Sequence, residues 1–137
     1  MIFVDTNVVS ETFRAQPEPR VLEWLVRHDS ELAMPSIVVA EIAFGIHKLQ
    51  PDQRAGRLLR GLEAWRDRMA GRIMAFNEQS ALAYGELMAA AARAGRVMSA
   101  QDGMIAAIAR VHSAKLATRN VRDFQGAGID VVNPWEA

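Results

Sequence analysis

The chain contains no cysteine, which excludes disulfides, thiolate zinc sites and a cysteine nucleophile. It has no excess of either charge: 16 Lys and Arg balance 16 Asp and Glu, for a formal net charge of zero. Strong phosphate binders usually carry a basic excess or stripe, so any attraction to nucleic acid must here be local. No apolar run approaches the roughly 18 residues of a membrane span. The opening Met1-Ile2-Phe3-Val4 meets Asp5 too soon to be a secretory core. A cytoplasmic protein with no membrane partner is expected. Repeats, low-complexity tracts and linkers are also lacking, and 137 residues fit a single domain, 1–137, around one core.

What is present is alternation. Ile2-Phe3-Val4 is wholly apolar, as a strand buried on both faces is. Val8 to Phe13 predicts a short helix, and Pro17 and Pro19 break the chain before helical signal resumes through Val21, Leu22, Leu25 and Val26. Glu31–Met34 is a candidate second strand. Pro35-Ser36 opens a helix by proline or serine capping, with Val38, Ile42, Gly45 and Leu49 at helical spacing. Pro51-Asp52 starts another, whose apolar stripe is Ala55, Leu58, Leu59, Leu62, Trp65 and Met69. Arg72–Phe76 suits a third strand, and Asn77 can cap a helix that carries Leu82, Leu87 and Met88 and runs to Gly95. Ser99 begins a helix containing Ile105, Ile108 and Ala109, and Lys115–Thr118 and Ile129–Val132 complete the strands. This order predicts an α/β fold whose parallel sheet is covered on both faces. Such folds keep their chemistry outside the carboxyl ends of the strands.

Four acids stand near such positions. Asp5 directly follows the first strand, where an ordinary turn or cap is the plain alternative. Glu41 lies beside the apolar stripe of its helix, between Val38 and Gly45, and Lys48 on much the same side suggests a boundary position. Asp102 completes Ser99-Ala100-Gln101-Asp102, a capping-box pattern. One oxygen can serve a cap while the other faces a metal. Asp123 follows the fourth strand in a polar segment. Converging carboxylates repel one another unless neutralised, and a hard divalent cation such as Mg²⁺, or Mn²⁺ in its place, suits oxygen ligands. His28, His47 and His112 have no metal-binding spacing, and His28 and His112 fall near helix ends, where contact with carbonyls is expected. Trp24, Trp65 and Trp135 are assigned to core or interface, and Gly126-Ala127-Gly128 to a turn.

Asp5-Thr6-Asn7-Val8-Val9-Ser10-Glu11 resembles the opening motif of PIN-domain ribonucleases, nearest to the VapC and FitB-like toxins of type II toxin–antitoxin pairs. Pro35-Ser36-Ile37-Val38-Val39-Ala40-Glu41-Ile42 is similar to the segment that carries the family's glutamate. Gly95-Arg96 through Asp102 resembles the approach to its third acid, and Thr118-Arg119-Asn120-Val121-Arg122-Asp123-Phe124 its final motif. The matches run in order over nearly the whole chain. The resemblance implies a three-layer α/β/α sandwich, Mg²⁺-dependent RNA cleavage, a homodimer, and a small cognate antitoxin through which a larger assembly binds promoter DNA. It implies Asp5 and Asp102 as principal metal ligands, with Glu41 and Asp123 completing the acidic pocket and Asn7, Thr118 and Asn120 supporting it. Ser113-Ala114 stand where a glycine often precedes the fourth strand, a departure of no expected consequence.

The chemistry implied is hydrolysis of a phosphodiester bond by water that a carboxylate-held ion acidifies. Arg119, Arg122, Arg93 and Arg96 are candidates to offset the repulsion between RNA and an acidic pocket. Two rivals have different signatures. A PIN-like partner acting mainly in a DNA-binding repressor complex would not need four intact acids. An aspartate phosphatase would want a second aspartate where Asn7 stands.

Overall fold

The computed structural model describes residues 1–49 and 53–137. Its elements are β1 (Ile2–Val4), α1 (Thr6–Glu11), α2 (Pro19–Arg27), β2 (Leu32–Pro35), α3 (Ser36–His47), α4 (Gln53–Arg68), β3 (Ile73–Met74), α5 (Glu78–Arg93), α6 (Ala100–Val111), β4 (Lys115–Ala117) and β5 (Val131–Val132). The helix start expected at Pro51-Asp52 lies outside the described residues. All strand pairs are parallel, in the order β3-β2-β1-β4-β5. Each parallel pair needs a crossover, and helices supply it. The chain steps from β1 to β2 to β3 in one direction and then jumps back to β4. Right-handed crossovers therefore put α5 and α6 on the opposite face from the helices before them, which gives the α/β/α sandwich. Strand order reverses between β1 and β4, so the crevice at their carboxyl ends is the topological switch point.

The core follows the expected apolar runs. β1 is fully covered, and Ile105 to Ala109 of α6 are all at 0% exposure. Alanines at three of those five positions let α6 lie close to the sheet. Gly103 serves the other side of that helix: a Cβ there would come within 2.6 Å of the Met88 sulfur on α5.

Several local expectations are corrected. Pro19 does not break the chain but is the first residue of α2, where its missing N–H has no partner to lose. That helix buries Val21, Trp24 and Leu25, an i, i+3, i+4 face, and leaves Leu22 and Val26 exposed. Ser36 makes no cap; its hydroxyl accepts from the Phe76 N–H at 3.3 Å. The third strand shrinks to Ile73–Met74. On its amino side the Arg72 guanidinium is engaged with the carbonyls of Asp29, Leu32 and Arg68, and on its carboxyl side Phe76 bonds Ser36 instead of a strand. His28 ends α2 as expected, but Nδ1 meets the Glu31 carboxylate at 2.9 Å and the ring lies against Trp24. His112 ends α6 and turns its ring edge-on to Phe3. Trp24 and Trp65 are core residues. Gly126 and Gly128 take positive φ, as their assignment to a turn requires.

Ser113 has φ of +51°, the left-handed geometry that ends α6 before β4. A side chain there costs about 1–2 kcal/mol, which glycine avoids. Part of that gain is returned as glycine's greater unfolded-state entropy. Ser113→Gly is thus expected to stabilise the fold by up to about 1 kcal/mol, a rise of a few degrees in Tm by calorimetry. An unchanged or lower Tm would show that the turn carries no strain.

Candidate active site

Asp5 leaves β1 at the switch point and is only 4% exposed. A carboxylate so placed needs donors in place of water, and three residues from two segments supply them. The Thr6 N–H reaches Oδ1 at 2.8 Å, while the Thr118 hydroxyl, at 2.7 Å, and Asn7 Nδ2, at 3.2 Å, reach Oδ2. Thr118 is fully buried and its single oxygen is saturated. It donates to Asp5 and accepts from Asn7 Nδ2 at 3.0 Å and from the Asn120 N–H at 3.1 Å, which uses its one proton and both lone pairs. The Asn7 Oδ1 in turn accepts from the Arg119 N–H at 3.1 Å. One network therefore joins the end of β1 to the loop after β4. Asn7 and Thr118 hold it with side chains, Asn120 with its backbone.

The other acids come to the same rim from other elements. Glu41, half-buried on α3, accepts from the Thr6 hydroxyl at 3.1 Å. Lys48 does not hold it; that ammonium lies over the Phe44 ring. Asp102 sits in the first turn of α6, its N–H bonded to the Ser99 hydroxyl at 3.1 Å. Ser99 thus caps as expected, but among the described residues the Asp102 carboxylate returns no bond to the Ser99 N–H. Asp123 is exposed on a short 3-10 turn, Val121–Phe124.

The electrostatics bind these four into one group. Burial raises the Asp5 carboxyl above its ordinary range, against the pull of Thr118, Thr6 and Asn7, and Asp123 adds to the rise. Burial raises Glu41 too, helped by the charge on Asp5 and opposed by Thr6. Asp102 is pushed up to about 6, by burial first and then by Asp5, Asp123 and Glu41. Among the described residues no basic side chain pairs with any of the four. The donor set, all carboxylate oxygen and uncompensated, is chemically suited to a hard divalent cation. As the side chains lie, no three acidic or histidine groups among the described residues already surround a common metal position.

Thr6, not among the residues the sequence singles out for the site, touches both Asp5 and Glu41. Its place directly after the strand-end acid was the available signal. Of the arginines proposed for RNA, Arg119 lies over the partly buried Trp135 ring, 5.1 Å from its centroid, and Arg96 reaches the Gly126 carbonyl at 3.3 Å. Arg122 lines a cleft beside Asp123 with Asn133 and Glu136, and Arg93 lies in the last turn of α5.

The family model for the PIN domain matches residues 2–128. The chain is 38% identical over 138 residues to the VapC ribonuclease Y4jK of Sinorhizobium fredii, covering 99% of each chain. It is 39% identical over 140 residues to the toxin FitB of Neisseria gonorrhoeae, covering 98% of this chain and 99% of that one. In three dimensions it superimposes on a chain of FitAB bound to an IR36 DNA fragment with a TM-score of 0.92 and 37% identity, over 98% of this chain and 96% of the other.

The raised carboxyls keep protons on the folded chain that the unfolded chain has lost. Stability of the metal-free protein therefore falls as pH rises from the ordinary carboxylate range through about 6, the value for Asp102. In EDTA at pH ~7.5, Asp102→Asn is expected to melt a few degrees above wild type, the two converging near pH ~4. Mg²⁺ should raise the wild-type midpoint at the higher pH far more than that of the variant. Equal midpoints at every pH would mean that neither burial nor the neighbouring acids raise the Asp102 carboxyl.

Proposed function

Because this chain belongs to the PIN-domain family, we propose that it is a Mg²⁺-dependent endoribonuclease, with Mn²⁺ an alternative ion, acting as the toxin of a type II toxin–antitoxin pair. The observation that carries this is the buried Asp5 carboxylate at the switch point, sharing its field with Asp102, Glu41 and Asp123 and paired with no basic side chain among the described residues. Asp5 and Asp102 would hold the ion, and Glu41 and Asp123 would complete the pocket. When bound, the ion neutralises that field, acidifies water and polarises the phosphate. The chain's own residues fix the geometry. Thr118, Asn7 and the Thr6 N–H leave the Asp5 carboxylate one orientation, and Thr6 ties Glu41 to it. Such a rigid donor set limits reorganisation during reaction.

The relatives support the partners. FitAB is seen on a DNA fragment, which supports a small cognate antitoxin and DNA binding through it; a homodimeric state is proposed from the family resemblance alone. A role confined to that repressor complex is the competing reading. The complete acid set with its hydrogen-bonded supports favours catalysis.

Antitoxin-free protein is expected to cleave RNA with Mg²⁺ or Mn²⁺, to stop in EDTA, and to leave 5′-phosphate and 3′-hydroxyl ends, because water is the nucleophile. Asn7→Ala, which removes a support of Asp5, should lower the rate about 10–100-fold, and Asp5→Asn should lower it further. Full activity of Asp5→Asn, or 2′,3′-cyclic phosphate ends, would refute the proposal.

A further inference from the structure

Zero net charge conceals an uneven distribution. From Gln53 to Leu62, α4 carries Arg54, Arg57 and Arg60 and no acid. Arg54 and Arg57, three apart and so neighbours on one face, line a groove of about 360 Å³ between α1, α3 and α4. Among the described residues neither is in an ion pair. A third arginine, Arg14, lines the same groove but is paired with Glu11 at 3.1 Å. Phe13, Ile46 and Leu58 give the groove apolar walls, and Thr6 and Glu41 belong both to it and to the acidic rim.

Two close contacts fix the wall that α4 provides. A Cβ on Gly61 would stand 2.6 Å from the Phe13 ring, so the glycine admits that ring against the helix. Farther along, Trp65 Nε1 donates to the Thr12 hydroxyl at 2.9 Å. The helix that carries the arginines is thus packed against the segment after α1.

We infer that this groove holds the nucleotide adjoining the scissile phosphate of a single-stranded RNA, with Arg54 and Arg57 on its backbone phosphate and the base against Phe13 and Leu58. This rests on the nuclease reading above. The chemistry is complementary: an anion lies along unpaired guanidiniums, and an unstacked base lies on apolar and aromatic surface. The strand arrives already oriented, because the groove opens onto Glu41 and Thr6. A duplex keeps its bases stacked and cannot supply one to the apolar wall.

The test uses the full chain and a fluorescein-labelled single-stranded RNA that the wild type cleaves. Binding is read by anisotropy without divalent ion, and cleavage is read with Mg²⁺. For Arg54→Ala/Arg57→Ala we expect KM and Kd to rise at least about tenfold with kcat within about twofold. The slope of log affinity against log salt should fall by about 1.4, two contacts at about 0.7 each. Arg66→Ala, at the far end of the same helix, should leave every value unchanged. A folded double variant with wild-type KM and salt slope overturns the groove assignment while the nuclease reading stands. So does a variant that loses only its hold on the co-expressed antitoxin, since the groove would then serve a protein. A wild type that cleaves no RNA overturns both.

Discussion

A single hydrogen bond between residues 113 apart in sequence, from the Thr118 hydroxyl to Asp5, organises this molecule's working end. It is made where both side chains are buried, and an unpaired hydroxyl there would cost about 1–3 kcal/mol, an unpaired carboxylate oxygen more. The bond forms only if β1 and β4 are neighbours in register, as the pairing of Val4 with Ala117 makes them. Pairing of the strands and assembly of the site are therefore one event. The fully buried apolar residues on either strand bring the polar ends together, and the polar ends make any other register expensive.

The site works against the fold that holds it. Burial and mutual repulsion raise Asp5, Glu41 and Asp102 together, so the metal-free folded state carries a charge cluster it does not favour. The surroundings tolerate this because they are stiff. Asp102 belongs to a helix in which Ile105 to Ala109 are fully buried, and Asp5 is gripped on both oxygens. Rigid elements keep repelling groups from separating, so relief must come from protonation or from a bound cation.

Charge of the opposite sign is arranged with equal economy. The total is zero, yet four acids gather at the carboxyl ends of the strands while Arg54 and Arg57, in no ion pair among the described residues, line a groove beside them. Under the proposed function, an anionic polymer would be drawn to the groove and repelled by the rim until an ion neutralised it. Only a few side chains, Thr6 and Glu41 among them, separate the two charges.

Much of this was legible in the amino-acid order. Apolar runs, helix periods and the Asn77 and Ser99 caps are local signals, set by φ/ψ preference and by which neighbours can bond within a few residues. They gave the layers and put Asp5, Asp102 and the Thr118–Asp123 segment near strand ends. The order could not show that Thr118 has its proton and both lone pairs engaged, that Asn120 acts through its backbone, or that Thr6 links two acids. Nor could it show that Arg54 and Arg57 line a groove shared with Thr6 and Glu41 while Arg119 lies over Trp135. Those facts depend on atoms distant in the chain meeting within hydrogen-bond or van der Waals reach, and strand register and helix packing alone set such distances. The sequence by itself determined which chemical groups were available and on which elements; the tertiary structure decided which of them share one field.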